Sequence, residues 1–485
     1  MRPTFMGLET TKRGIQVNQK GLDVVANNIS NVKTEGYTRQ RLDTVSVSIR
    51  SGYGRSYSSI PLAGQGVAAV GVGQIRNSFL DSKFREEYGD VGYYDQRQAM
   101  LSEIEAAISD PEVEGTGIKD ALSTLLTAMT QFSENPYQEV QANNVRSAFT
   151  SVVQVLNQYS SKLDRIQKQQ MEYLSISVDE VNSKLEQIAD LNEAIVTQIR
   201  TCVDYDGKNY GPNELLDQRN LILDELARYG AVEVIQQEDG GVQVRFNGRM
   251  VVDGSGNQYT ADRLILGADG LPMTWRGSGD EVKLPTGALK GYADVLTGGG
   301  QLDKGIPYYQ NKLDHLAQQL VDAFNQVIPN DDGAAGYKTL LQGEDGVVTA
   351  ANIKISDLWD ANVNYIIQKN PDGEMDNTHV LNMKNLLDED FSFDGEFTGT
   401  FSEFVTYITT SLGNDMTTNQ ARLETTISTA EGVDEERMST SGVSLNEEGV
   451  EMMSYNKAYQ ALARMMTTMD EQLDVLINNT GLVGR

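Results

Sequence analysis

The sequence predicts a mainly α, discontinuous multidomain protein with β insertions. Its N- and C-terminal helices pair as a coiled coil, and a bundle of long helices carries an inserted all-β domain. Three observations point there. First, apolar residues recur every seven positions at Leu8, Ile15, Leu22 and Ile29, while Tyr455, Tyr459, Leu462, Met466, Met469, Leu473 and Leu476 alternate steps of four and three. Such spacing keeps one narrow seam on one helix face, the form that a partner helix needs. Second, residues 140–200 carry an almost unbroken helical pattern. Third, residues 231–300 are rich in glycine, valine and turn signals.

Charge supports the pairing of the ends. Residues 1–41 hold seven Lys/Arg against three Asp/Glu, and residues 447–485 hold three against six. Gly7, Gly14 and Gly21 repeat with the period of the N-terminal seam. Each costs a helix interior about 1 kcal/mol relative to alanine, so the row implies close backbone approach, a helix formed only on assembly, or a frayed terminus. Asn31, Thr34 and Gly36 end the helix, and Gly36 can take positive φ where the chain turns.

Downstream, Val45, Val47 and Ile49 alternate with polar residues as a strand. Ser51–Gly54 turns the chain, and Val67–Ile75 returns as a second strand. Residues 78–108 form a helix with Phe84, Tyr88, Val91 and Ile104 inward, and a second helix covers 118–133. In the long helix, Phe149, Val152, Leu156, Tyr159, Leu163 and Ile166 make one seam. Val178, Val181, Leu185, Ile188, Ile195 and Ile199 make another, out of phase by about one residue. Residues 212–229 supply a partner helix. Short strands fill 231–300 and close on themselves. Helix returns over 306–327, residues 331–400 are mixed, and helix resumes from 401 to 438 with a break at Gly413. Residues 439–444 form a joint. The expected domains are 1–60 with 440–485 (terminal coiled coil), 61–230 with 301–330 and 401–439 (bundle), 231–300 (β insertion) and 331–400 (small mixed insertion).

A formal net charge of −29 argues against nucleic acid, since nothing broad would neutralise phosphates. No stretch approaches eighteen apolar residues, so no membrane insertion is expected. The single cysteine, Cys202, excludes an intramolecular disulfide framework. Neither His315 nor His379 belongs to a metal or catalytic motif, and His315 reads as a bundle residue. Asp390-x-Ser392-x-Asp394-Gly395 opens like a calcium loop, but Phe401 stands where a bidentate glutamate is needed. Phe391, Phe393, Phe397 and Phe401 predict a hairpin with a buried face instead. No enzyme, cofactor or metal is expected.

Asn27-Asn28, Asn31, Thr34 and Gly36-Tyr37 resemble the start of bacterial flagellar axial proteins. Tyr37-Thr38-Arg39-Gln40, Ser441–Glu448, Ala458–Ala461, Thr467–Glu471, Leu476–Asn478 and Asn213–Arg219 resemble the hook-associated FlgK family within that group. The resemblance is specific at both ends and patchy between 231 and 400. It implies a structural subunit of a ring joining hook to filament, exported to the extracellular flagellum through the type III channel with no peptide removed. The implied partners are further copies of the chain, hook protein, the next hook-associated junction protein and an export chaperone. Leu8, Ile15, Leu22 and Ile29 would pack against Tyr455, Tyr459, Leu462, Met466, Met469, Leu473 and Leu476, with Asn28, Asn31 and Gly36 shaping the turn. The alternatives are a hook or distal rod subunit, or an exported glycan-binding protein acting through the β insertion.

Overall fold

The computed structural model describes residues 5–47, 64–108, 117–201, 211–255, 258–268, 270–301, 303–330, 336–344, 346–369, 375–376 and 378–479. Ile49, the expected turn at 51–54 and Cys202 lie outside the described residues. Helix α1 (Phe5–Ser30) leads into an antiparallel hairpin of β1 (Gln40–Ser46) and β2 (Val67–Gln74). Then come α2 (Ser78–Ile108), α3 (Ile118–Glu134), α4 (Glu139–Thr201) and α5 (Asn213–Ala227). A four-stranded antiparallel meander follows: β3 (Val232–Gln236), β4 (Val242–Phe246), β5 (Arg249–Ser255) and β6 (Gln258–Ala261). A second hairpin pairs β7 (Leu264–Leu266) with β8 (Met273–Trp275). Helices α6 (Ala288–Thr297) and α7 (Ile306–Phe324) return the chain to the bundle.

The 63-residue α4 spans two hydrophobic cores. Phe149, Val152, Leu156 and Leu163 belong to the first, with α3, α7 and the start of the last bundle helix. Val178, Val181, Leu185 and Ile188 belong to the second, against α5 and the sheet. The phase shift between the two seams is the change of partner: one helix face turns to one core, and the next half presents a rotated face to another. On α2 the inward residues differ from expectation. Asp81, Arg85, Gly89 and Gly92 are buried, while Phe84, Tyr88 and Val91 are half-buried. The reason is an ion-pair network: Arg76 Nε donates to Asp81 (2.6 Å) and Arg85 Nε to Asp224 of α5 (2.7 Å).

The β strands do not close on themselves. Asn192 of α4 donates from Nδ2 to the Val242 carbonyl (2.8 Å) and accepts from the Val242 N–H (3.1 Å). Asn182, ten residues earlier, makes the same two-way pair with Leu264 at 3.0 and 2.7 Å. Glu193 accepts from the Tyr259 N–H at 3.0 Å. Each side chain supplies a backbone group with a partner that it would otherwise lack. Phe246, Val244 and Trp275 share the core of α4. The end of the 231–300 insertion is helical, because Ala288, Leu289, Tyr292, Val295 and Leu296 repeat at helical spacing and are buried.

Beyond α7, β9 (Leu341–Gln342) pairs with β10 (Lys354–Ile355). Short α8 (Asp357–Ala361), strands β11 (Gln368–Lys369) and β12 (Met375–Asp376), and α9 (Thr378–Leu386) follow. Hairpin β13 (Phe391–Phe393)/β14 (Phe397–Gly399) buries Phe393, which stacks on Phe404 at 4.0 Å. The calcium-like turn is held from α7: Asp394 accepts from buried Lys312 (2.9 Å) and meets His315 Nε2 at 2.6 Å. His315 lies on this bundle helix with its side chain half-exposed. Helix α10 (Phe401–Ser441) starts on a Thr400/Glu403 capping box and runs through Gly413 without the expected break. Helix α11 (Leu445–Asp474) ends the ordered helical path before a short π turn.

Replacing Asn192 by alanine strips Val242 of two hydrogen bonds and the buried Arg219 of an acceptor 2.9 Å away. An unsatisfied buried polar group costs about 1–3 kcal/mol, so Asn192→Ala should lower unfolding free energy in urea by about 2–4 kcal/mol. Asn143→Ala, at an exposed site on the same helix, should change it by less than about 0.5 kcal/mol.

Candidate functional site

The two ends of the chain meet as an antiparallel helix pair, α1 against α11. The glycine row lies at the contact. A Cβ on Gly7 would stand 2.8 Å from Met469 Cε, one on Gly14 2.8 Å from Leu462 Cδ1, and one on Gly21 2.6 Å from Tyr455 Cε1. Every seven residues up α1 meet seven residues down α11. The seam on α1 is therefore Gly7, Thr11, Gly14, Asn18, Gly21, Val25 and Asn28, where Thr11, Gly14, Gly21, Val25 and Asn28 are buried. Hydrogen atoms in place of side chains let the helices approach, and the large residues of α11 fill the space.

This corrects the expected pairing. Leu8, Ile15, Leu22 and Ile29 are half-buried and lie one residue, about 100°, around α1 from the glycine row. On α11, Tyr455, Leu462 and Met469 face the glycines. Met466 and Leu473 are half-buried, while Tyr459 and Leu476 are 38% and 48% exposed. The row Met452, Tyr459, Met466, Leu473 lies about 40° round from the inward row, turned in the same sense as the leucine row of α1. In an antiparallel pair, equal turns bring both rows to the same side. The opposite side of α1 carries the hairpin, with Gly66 over Thr10 and a cavity of about 590 Å³ lined by Val17, Val67 and Ala69.

One more heptad brings Asn28 opposite Glu448, and here the pairing becomes polar. Glu448 has no exposed surface. Its Oε1 accepts from Arg39 Nε (2.7 Å) and its Oε2 from Asn28 Nδ2 (3.0 Å). Asn28 also donates to the Gln40 carbonyl (2.9 Å), and its Oδ1 accepts from the Gln40 N–H (3.0 Å) and Tyr37 Oη (2.8 Å). Arg39 reaches Glu447 and, at 3.5 Å, Glu451. Its N–H donates to the Ser441 carbonyl at 2.8 Å. A buried carboxylate is tolerated only when its lone pairs are filled, and both oxygens are. Asn31 closes α1 by donating to the Asn27 carbonyl (3.0 Å), and Gly36 turns the chain at φ 74°.

Helix α5 carries this joint to the rest of the molecule. Asn213 Nδ2 donates to the Val72 carbonyl (3.1 Å), and Asp217 accepts from Gln74 Nε2 (2.8 Å) and from Thr38. Further along, Arg219 donates to Asn192 and to the Gly240 carbonyl, and burial pulls its guanidinium down to about 10. Asp224 joins Arg85 of α2 to Arg437 of α10 (2.6 Å). The stretch Asn213–Arg219 thus grips the terminal hairpin with one side and the β module with the other. The Arg39–Glu448 and Asp217–Thr38 contacts join distant parts of the chain. A sequence signal exists for the Asn28–Glu448 contact: Asn28 continues the glycine period, and Glu448 continues the Tyr455–Leu462–Met469 period. Among the described residues no cluster of three or more His, Cys, Asp or Glu is arranged to hold a metal.

Two outcomes follow from this geometry. Gly14→Val sets a branched side chain into Leu462; overpacking of this kind costs about 1–3 kcal/mol, so amide exchange in α11 should quicken by roughly tenfold or more. Ile15→Val should leave it unchanged. Burial holds the Asp217 carboxyl above the ordinary carboxylate range, partly offset by Thr38. A raised folded value means that the stability contribution is full below the unfolded value of 3.8 and is lost as pH rises through the folded one. The stability of Asp217→Asn relative to the parent should therefore increase with pH across that window in urea titrations, and a flat difference would contradict the assignment.

Comparison with known proteins matches these parts. The family model for the helical domain of flagellar hook-associated protein FlgK matches residues 101–338. The model for the C-terminal region of flagellar basal-body rod FlgEFG proteins matches 435–479, and that for flagella basal-body rod proteins matches 8–38. These last two segments meet at Asn28–Glu448. Flagellar hook-associated protein 1 of Bacillus subtilis is 28% identical over 520 residues, covering 100% of both chains. Its counterpart from Salmonella typhimurium is 27% identical over 321 residues, 64% of this chain and 54% of that protein. The solved flagellar hook junction protein FlgK of Burkholderia pseudomallei shares the fold, with a TM-score of 0.55 and 13% identity over 74% of this chain and 100% of that one. Over its whole length the chain is similar to flagellar hook-associated proteins of the FlgK family.

Proposed function

We propose that the chain is a non-enzymatic structural subunit of the bacterial flagellum that joins hook to filament through its terminal helices. One observation carries the reading: the α1–α11 pair is covered by the hairpin on one side and left apolar on the other. Leu8, Ile15, Leu22 and Ile29 lie there beside Met452, Tyr459 and Met466. Among the described residues no third element packs on that face, and further copies stacked around a tube would cover it. Met452 and Met466 on this face are unbranched thioethers, able to pack against neighbours of differing shape, as a subunit between two lattices must. The bundle and β module stand outside the tube wall. Export to the cell exterior, an export chaperone, hook protein and the next junction protein complete the proposed set of partners, and Asn28, Asn31 and Gly36 fix the exit of α1.

The test separates folding from assembly. Ile15→Asp and Tyr459→Asp place a carboxylate on the uncovered face and leave the glycine row intact. By electron microscopy, isolated hooks incubated with the parent protein should carry a cap of density at the distal end. Both variants should unfold in urea like the parent and leave hooks bare. Capping by both variants, or binding of the parent along the hook shaft, would overturn the proposal.

A further inference from the structure

The chain from Phe401 to Asp474 is one helical path interrupted only at Gly442–Ser444. No proline stands there, and one glycine costs a helix about 1 kcal/mol, too little to stop a helix of 41 residues meeting one of 30. The contacts of Arg39 account for the interruption. In a continuous helix the Ser441 carbonyl would accept from the Leu445 N–H; here it accepts from the Arg39 N–H at 2.8 Å. The same Arg39 holds the first turns of α11 through Glu447, Glu448 and Glu451. Gly442 takes the extended backbone φ −77°, ψ 159° at this point. Ser444 does not cap α11 with its side chain, so the first amides of that helix lack the partners that a continuous helix would give them.

We infer that the break between α10 and α11 is a conformational switch held by Arg39. When Arg39 releases Ser441 and the three glutamates, the two helices join through residues 443–447. Joining supplies carbonyl partners to the amides of Val443, Ser444, Leu445, Asn446 and Glu447 and redirects the terminal pair relative to the bundle. The inference rests on the geometry of the joint alone and stands whether or not the terminal face binds a hook.

Hydrogen–deuterium exchange of the full-length chain tests it, read on peptides spanning 439–450. In the parent the amides of 443–447 should exchange fast. In Arg39→Ala, which removes the grip on the glutamates, and in Gly442→Ala, which favours helix at the joint, they should slow by about tenfold or more, to the rates of the flanking helices. If Arg39→Ala loosens all of α11, Gly442→Ala decides alone, since it removes no side chain that Arg39 contacts. Fast exchange across 443–447 in Gly442→Ala would overturn the inference.

Discussion

A carboxylate with no exposed surface fixes the relation between the two ends of this protein. Glu448 sits 420 residues from Asn28 and 409 from Arg39, and both of its oxygens are taken by them. Removing one partner of such a buried group costs about 3–5 kcal/mol, so the pairing admits no register but its own. From that fixed point the rest of the seam follows by sevens: Gly21 under Tyr455, Gly14 under Leu462, Gly7 under Met469. Packing alone would tolerate slippage along a row of glycines, because each offers the same empty surface. The polar contact is what makes one register unique, as a single buried polar residue does in other helix pairs.

The same residues tie the terminal pair to the body. Tyr37 touches Asn28, Thr38 touches Asp217 and Arg39 touches Ser441. Helix α5 passes the connection on, through Asp224 to α2 and α10 and through Arg219 to α4 and the sheet. A path of hydrogen bonds and ion pairs thus runs from the Asn28–Glu448 joint towards both cores. Side chains of α4 treat the β module as part of the body, so deleting it would uncover Val178, Val181, Leu185 and Ile188.

Much of the helical architecture was legible because large apolar residues repeat with the helical period. The ends of α2, α3 and α4 and the two seams of α4 could be read directly, and so could the aromatic hairpin around Phe393. The terminal seam was misread for a physical reason. A search for apolar periodicity finds Ile15 and Leu22, while the contact is made where side chains are missing, at Gly14 and Gly21. The glycine period was visible and one of its readings, close backbone approach, is the arrangement found. The grips of Asn182 and Asn192 were hidden because an asparagine on a helix has the same look whether it faces water or the edge of a strand. On α2 the buried face is charged; Arg76 lies close in sequence to Asp81, but Asp224, the partner of Arg85, lies 139 residues away. No local pattern encodes that remote partner.

The central claim is that the ends pair through the glycine row and not through the leucine row. Cysteine pairs read this directly in the full-length chain with Cys202 replaced by serine. Gly14→Cys with Leu462→Cys should form an intramolecular disulfide under mild oxidation, detected by mass spectrometry of tryptic peptides, and Ile15→Cys with Leu462→Cys should not. A cross-link for Ile15 and none for Gly14 would contradict the account.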